Sequence, residues 1–503
     1  MPGERQEIKI KSAQPERGAS VFKWLMYSVF IVAFAWVSGR LFFDKQIADF
    51  LEGMGGKGGE EAQIEVLRVI YPDEPTSLDP LLTDPTARQR LVNIFEPLVK
   101  MDENLNVKPA LAVSWGMLDD LTWRFELRRG VKFHDGTEFS AQDAVSSIEK
   151  ADVMIATVDH MDVKDNLLTV VTKNPDPLLL QKLSSVLISP VGSADLPVGT
   201  GPYMVIDWEW GETFALHSFD EYWGGIPKFK TVELLPVKDK SERVRKLFDG
   251  EADILTFVPY EAVELVESKG FEVVSIPTLE VQFLVMNSES GILSDREMRE
   301  AVSESLDIDV LTEKIGGFAR PVSQFVSNGI FGFNPDISEH KNDVSRAGRY
   351  EGEVVQIHLP LGLDVLGEFL RESLGEIGLA AVVSYMDGAQ YLDSIQAGKA
   401  DMYFLAFKSE LGDASDFLKT IVKSDGDYNI FGYKNENVDY LTELSLVELD
   451  ENKRRDALQE AMEIVVDEDI VGVPLFEYET VMSFAGGVKI KPRIDGLLYF
   501  EDL

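Results

Sequence analysis

The segment PALAVSWGMLDDLTWRFELRRGVKFHDGTEFSAQDAVS, residues 109–146, decides how the rest of this chain is read. Trp123, Phe125 and Leu127 alternate with Arg124, Glu126 and Arg128, the two-residue period of a strand with one buried face. Arg129-Gly130 turns the chain, and Val131 and Phe133 alternating with Lys132 and His134 predict a second strand. Asp135-Gly136 marks another turn. Ser140 followed three residues later by Asp143 is the pattern of a capping box, so a helix is expected from there. Periodicity alone gives a hairpin and a helix, which many folds contain.

The whole chain sets wider bounds. Its 503 residues exceed the size at which one hydrophobic core stops growing, so two or more lobes are expected. Cysteine is absent, which excludes a thiol nucleophile, a cysteine-bound metal and a lipid anchor attached through cysteine, and suits an exported protein. The net charge is −39. Such a chain repels nucleic acid and anionic headgroups, so no nucleic-acid partner is expected. Solubility outside the cell is the plainer reason for the charge, and a preference for cationic ligands the sharper one.

Ahead of the folded part, residues 1–23 are polar and carry Arg5, Lys9, Lys11, Arg17 and Lys23. WLMYSVFIVAFAWVSG, residues 24–39, is apolar, and Leu41, Phe42 and Phe43 continue it past Arg40. The run from Val21 to Phe43 is long enough to span a bilayer if Lys23 and Arg40 snorkel. Val37-Ser38-Gly39 is a poor cleavage site for a signal peptide. The expectation is a cytoplasmic tail (1–23), an uncleaved transmembrane anchor (24–43) and a flexible linker (44–63), with the remainder periplasmic or extracellular. The GGKGG run in that linker lacks the Walker spacing.

The wording of residues 109–146 carries more than its periodicity. P-A-L-A-x-S-W, then D-x-L-T-W-x-F-x-L-R-x-G-V-K-F-H-D-G-T-x-F-S-A-x-D-A-V, resembles the signature of the family 5 extracellular solute-binding proteins, the peptide, oligopeptide and nickel receptors of ABC importers. E-P-T-S-L-D-P near residue 74, G-T-G-P-Y at 199–203 and Y-W-G-G at 222–225 are similar to that family's wording too, and the resemblance runs from Ile64 to the end. Residues 150–198 look shorter than the insertion found in the larger peptide receptors, carrying only a strand, an N-P-D-P turn and one helix.

The resemblance implies an α/β protein with the two-lobed periplasmic-binding fold of the second type, mixed sheets flanked by helices. Lobe one would combine residues 64–280 with 476–503, and lobe two residues 281–475. Asn287 and Pro474 fall in the segments similar to the family's two lobe crossings, and are the hinge candidates. Glu74 lies in wording that borders the ligand cleft in the family, although an exposed loop glutamate is the plainer reading. The family's W-x-x-D, whose acid pairs with a peptide's amino terminus, falls on Phe407 and Glu410. A glutamate there reaches one methylene further than an aspartate, and a solvated loop acid stays open as the alternative. Tyr478, just past the second crossing, is a cleft candidate or a packed tyrosine.

No G-x-S-x-G elbow, H-E-x-x-H, calcium loop or dinucleotide fingerprint is present, and the five histidines are scattered. No enzyme activity, cofactor or metal site is expected. The functional expectation is a monomeric, membrane-tethered receptor that closes on a peptide or small-molecule ligand and delivers it to an ABC transporter permease. A sensory or chaperone-like module on the same fold is the rival from another class, and a hydrolase a more distant one.

Overall fold

The computed structural model describes residues 65–503 apart from residues 82–84, 192–196, 212, 290, 317 and 339–347. The tail, transmembrane anchor and linker expected in residues 1–63 lie outside the described residues, as does His340. Among the described residues, no helix is long and apolar enough to cross a membrane.

Eleven strands join in one mixed sheet. Ten of them, from edge to edge, are Ala380–Met386, Val354–Pro360, Met402–Lys408, Glu272–Met286, Gly472–Phe484, Ile254–Leu255, Val66–Tyr71, Thr231–Pro236, Thr213–Ser218 and Tyr203–Glu209. Ala319–Pro321 pairs with Gly472–Phe484 off this path. Strand Val354–Pro360, helix Asp364–Glu376 and strand Ala380–Met386 form a parallel unit with a crossover helix. Both faces of the sheet are covered, which the alternation of side chains makes visible. Val281, Phe283 and Val285 enter one core cluster while Leu284 and Met286 enter another. In the other half, Leu67, Val69 and Tyr71 enter one cluster and Ile70 the other.

A separate four-stranded antiparallel sheet, Ala112–Asp119, Thr122–Leu127, Leu167–Thr172 and Val158–Lys164, carries the opening segment. Trp123, Phe125 and Leu127 are buried in its own core with residues of helices Ala141–Lys150 and Leu179–Ser185. The capping box forms: Asp143 Oδ2 accepts from Ser140 N–H at 2.9 Å and from the Ser140 hydroxyl at 2.7 Å.

Three local expectations are corrected. Residues 131–134 make no strand. Turns at Gly130 and Gly136, both with positive φ, leave a single bridge between Lys132 and Glu138, made by Phe139 N–H to the Val131 carbonyl and Phe133 N–H to the Thr137 carbonyl. The partner of Thr122–Leu127 is instead the preceding strand, Ala112–Asp119. The stretch after residue 150 holds an extra hairpin strand, Val158–Lys164, whose exposed polar side chains hide it from a hydrophobic pattern. The spacing of Met298, Ala301, Val302, Leu306 and Leu311 predicts one helix over residues 295–315, but the chain forms two, Arg296–Glu304 and Ile308–Lys314. Asp307 caps the second by accepting from Val310 N–H at 3.2 Å, which ends the first.

The motifs of lobe one converge on Glu96. Its carboxylate accepts from the Thr200 hydroxyl (2.9 Å), the Tyr222 hydroxyl (3.0 Å) and Trp223 Nε1 (2.8 Å), so G-T-G-P-Y and Y-W-G-G meet at one buried acid. Burial raises the Glu96 pKa to about 7, against the opposing pull of those donors. Gly199 and Gly201 lie against the backbone of Ile94, where a Cβ would come within 2.0 Å and 2.7 Å of its atoms. His134 clamps the same turn. Nδ1 accepts from Gly199 N–H (3.3 Å) and Nε2 donates to the Gly201 carbonyl (3.0 Å), which fixes the neutral tautomer; burial lowers its pKa to about 4.

Candidate ligand cleft

Two long antiparallel strands, Glu272–Met286 and Gly472–Phe484, connect the two halves. Glu272–Pro277 pairs with Phe484–Glu479, and Val281–Val285 with Glu477–Gly472. Between them the register shifts, so that Thr278, Leu279 and Glu280 stand opposite Tyr478 alone. Leu279 takes φ +59° at this point. The buried clusters change there too: Leu279 and Phe476 enter the clusters around Phe283 and Leu284, Val481 and Phe484 those around Ile70 and Leu67.

The sequence-derived hinge residues lie on the lobe-two side of this irregularity. Asn287 follows the end of its strand and donates its backbone N–H to the Asp401 carbonyl at 2.8 Å. Pro474 pairs with Phe283 beside a second register shift, between Gln282 and Phe283, where Leu475 has no partner on that strand. The wider pairing break falls at Thr278–Glu280, where three residues face one, a two-residue excess that sequence alternation does not mark.

Tyr478 stands at the crossing, half-buried and edge-on to Phe476 with ring centroids 5.0 Å apart. Burial raises its phenol pKa, with smaller contributions from Tyr260 and Glu280. Tyr260 stacks on Phe318 at 4.8 Å and donates its hydroxyl to the Glu479 carbonyl at 2.6 Å. Beside them, Glu477 is buried and held by Arg320 (2.8 Å) and the Ser327 hydroxyl (2.6 Å).

Phe407 and Glu410 part company. Phe407 is 6% exposed, lies in the lobe-two core and meets Phe417 edge-on at 5.5 Å. Glu410 is exposed in the loop that follows. Its charge is felt by two acids that sequence reasoning missed. Glu280, in the pairing break, hydrogen-bonds Gln282 Nε2 at 2.8 Å; burial raises its pKa, Lys408 opposes the rise, and Glu410 adds to it. Asp416, in the short helix Ala414–Phe417, rises to about 6 through burial, with Glu410 adding to the rise and Lys419 opposing it. Lys182 of lobe one also bears on Asp416, so this end of the loop faces the other lobe.

The loop is pinned from behind. Asp413, 1% exposed, caps the short helix by accepting from Ser415 N–H (2.9 Å) and forms a bidentate pair with Arg454. Phe331 N–H donates to the Gly412 carbonyl and Ala414 N–H to the Phe331 carbonyl. D-A-S-D in the sequence marks a helix start but not the partner, which lies on helix Glu451–Glu463.

Glu74 is elsewhere. Its carboxylate accepts the Gly211 N–H at 2.9 and 3.0 Å, at the tip of the hairpin between Tyr203–Glu209 and Thr213–Ser218. That contact gives Glu74 a structural role within lobe one. Among the described residues, no three His, Asp or Glu side chains converge into a metal-holding group.

Comparison with known proteins agrees with this architecture. The family model described as bacterial extracellular solute-binding proteins, family 5 middle, matches residues 106–351. The glutathione-binding protein GsiB of Salmonella choleraesuis is 26% identical over 434 residues, covering 78% of this chain and 85% of that protein. The unliganded open form of the periplasmic murein tripeptide binding protein MppA superposes with a TM-score of 0.79 at 20% identity, over 88% of this chain and 97% of that one. The periplasmic binding protein DppA from Helicobacter pylori, in complex with peptide STSA, gives 0.67 at 23% identity, over 87% and 98%. Over residues 106–351 the chain matches the family 5 extracellular solute-binding proteins, and its likeness to solute-binding relatives extends over most of its length.

Proposed function

We propose that the protein is the extracytoplasmic receptor of an ABC importer, capturing a peptide or peptide-like solute by closure of its lobes and handing it to a permease. The observation that carries this reading is the wider of the two register shifts in the pair of strands joining the lobes, at Thr278–Glu280. A pairing break with a left-handed residue lets the halves rotate while each keeps its own core. Closure is then driven by contacts a solute makes with both lobes at once. Further support comes from the relatives, one named for glutathione and others solved with a bound peptide. The higher TM-score against an unliganded open form than against a peptide complex favours an open resting arrangement here.

Within the cleft, Glu410, Glu280 and Asp416 suit a ligand's ammonium group, because an ion pair strengthens as water leaves. Tyr478 offers a phenol at the crossing. Phe407 acts from within the core, by backing the loop. The apolar run Val21–Phe43 would tether this monomeric receptor beside its permease and so raise its effective concentration there. The deciding experiment is native mass spectrometry of the purified protein, followed by small-angle scattering with and without the recovered solute. A co-purified peptide that contracts the particle supports import. A protein that never carries a solute, and whose scattering no peptide changes, refutes it.

A further inference from the structure

Two lobe-one side chains reach the core of lobe two away from the joining strands. Leu105 and Ile494, both half-buried, pack against the cluster that contains Phe283, Phe417 and Leu458. They come from distant segments braced to each other. Ile494 N–H donates to the Glu103 carbonyl (3.3 Å), Arg493 Nη2 donates to the Met101 carbonyl (2.9 Å), and Lys491 pairs with Glu103. Leu105 holds φ +62°, a conformation non-glycine residues rarely adopt. Its turn is fixed by Asp102 Oδ1, which accepts from Asn104 N–H (2.9 Å) and Asn106 N–H (2.8 Å).

The seats opposite are glycines in left-handed conformations. A Cβ on Gly412 (φ +68°) would lie 2.9 Å from Leu105 Cδ1, and one on Gly329 (φ +101°) would lie 3.5 Å from Ile494 Cδ1. A rigid apolar tip on a smooth backbone seat is a contact without direction, so it persists as the angle between the lobes changes. A hydrogen-bonded contact would hold at one angle only. Gly412 also belongs to the loop that bears Glu410 and Asp416, and its N–H donates to the Ser409 carbonyl at 3.0 Å.

We propose that Leu105 and Ile494 form a fulcrum on which lobe two rolls, and that Leu105, through Gly412, sets the position of the loop bearing Glu410 and Asp416. The rolling rests on the lobe-closure reading above. Both are separable by distance measurement, because the chain has no native cysteine and two engineered ones take spin labels uniquely. Labels at Glu149→Cys in lobe one and Glu376→Cys in lobe two, both exposed, report the lobe separation by electron–electron double resonance.

Without ligand, the Leu105→Ala/Ile494→Ala variant is expected to broaden the distance distribution. Gly412→Ala, which forces Leu105 back, is expected to displace its mean. Circular dichroism verifies that each variant is folded. With an equimolar mixture of tripeptides and tetrapeptides bearing free amino termini as probe, affinity is expected to fall several-fold in both variants. Ligand-free distributions identical to the parent's in both variants overturn the fulcrum, whatever the probe does. A parent whose distribution no probe shifts refutes lobe closure, while the ligand-free widths still decide the fulcrum.

Discussion

Arg454 meets Asp413 side by side, Nη1 and Nη2 each 2.7 Å from a different carboxylate oxygen, with side chains 5% and 1% exposed. The same guanidinium lies over the Phe331 ring at 4.9 Å, and its Nε donates to the Ser445 carbonyl at 2.7 Å. Removing one member of a buried pair strands the other charge, which costs about 3–5 kcal/mol. Arg454→Met is therefore expected to lower the free energy of unfolding by roughly that amount. An Arg454→Met/Asp413→Leu double variant, measured by urea denaturation, should recover much of the loss. A single variant as stable as the parent would show that water screens the pair.

Glu410 is exposed, so its removal should leave stability unchanged and act on binding alone. A hydrogen bond to a charged group contributes about 1.5–3 kcal/mol. Glu410→Gln is expected to weaken binding of peptides with a free amino terminus by roughly tenfold or more. Binding of amino-acetylated peptides should change little. Equal calorimetric affinities for parent and variant would remove Glu410 from the site.

Asp416 gives the cleft a pH dependence with a definite sign. Its carboxyl titrates near a pKa of about 6 in the ligand-free protein, so it is neutral below that and anionic above. An ammonium group is attracted only to the anion, and the amino terminus of a peptide stays protonated through this range. Affinity for such peptides is expected to fall as the pH is lowered from about 7.5 to about 5, with a proton released on binding near the middle of that window. Asp416→Asn should flatten the profile. A profile unaltered by that substitution would assign the titration elsewhere.

Glu96 acts on stability instead. Its pKa is raised from 4.5 to about 7 in the folded chain, so folding favours the neutral acid. The stability it contributes is complete below the unfolded value and lost as the pH rises through the folded one. The whole span is on the order of 3 kcal/mol. Glu96→Gln imitates the neutral form, with one oxygen still accepting from Thr200 and Trp223 and the amide facing the Tyr222 hydroxyl, which itself donates to Glu501. Melting temperatures of this variant should stay level between about pH 4.5 and 7, where the parent's decline.

Residues that declare their surroundings locally were the ones legible in the sequence. Trp123, Phe125 and Leu127 announce a half-buried strand, and Ser140 with Asp143 announces a helix start, because a neighbour a few positions away determines each. Leu458, Ala461 and Met462 likewise form the buried helix face that their spacing predicts. Glu280 and Asp416 gave no such signal. Their environment is made by residues brought from other elements, Lys408 and Glu410 in one case and the opposing lobe's Lys182 in the other. Glu74 stayed open between cleft and loop for the same reason: the Gly211 amide that engages it sits on a hairpin far along the chain. The pairing break at Thr278–Glu280 was invisible because inserted residues leave no gap in composition, only a change of partner.

The irregularity at Leu279 is built from main chain, and of the three acids only Glu280 belongs to it, while Glu410 and Asp416 are side chains on a separate loop. On the reading proposed above, the part that sets the stroke and most of the part that tells cargoes apart are separate. Mutations can retune which molecule is carried without redesigning how far the jaws travel, and a graft of residues 407–416 from a relative should inherit that relative's appetite while keeping this protein's gait.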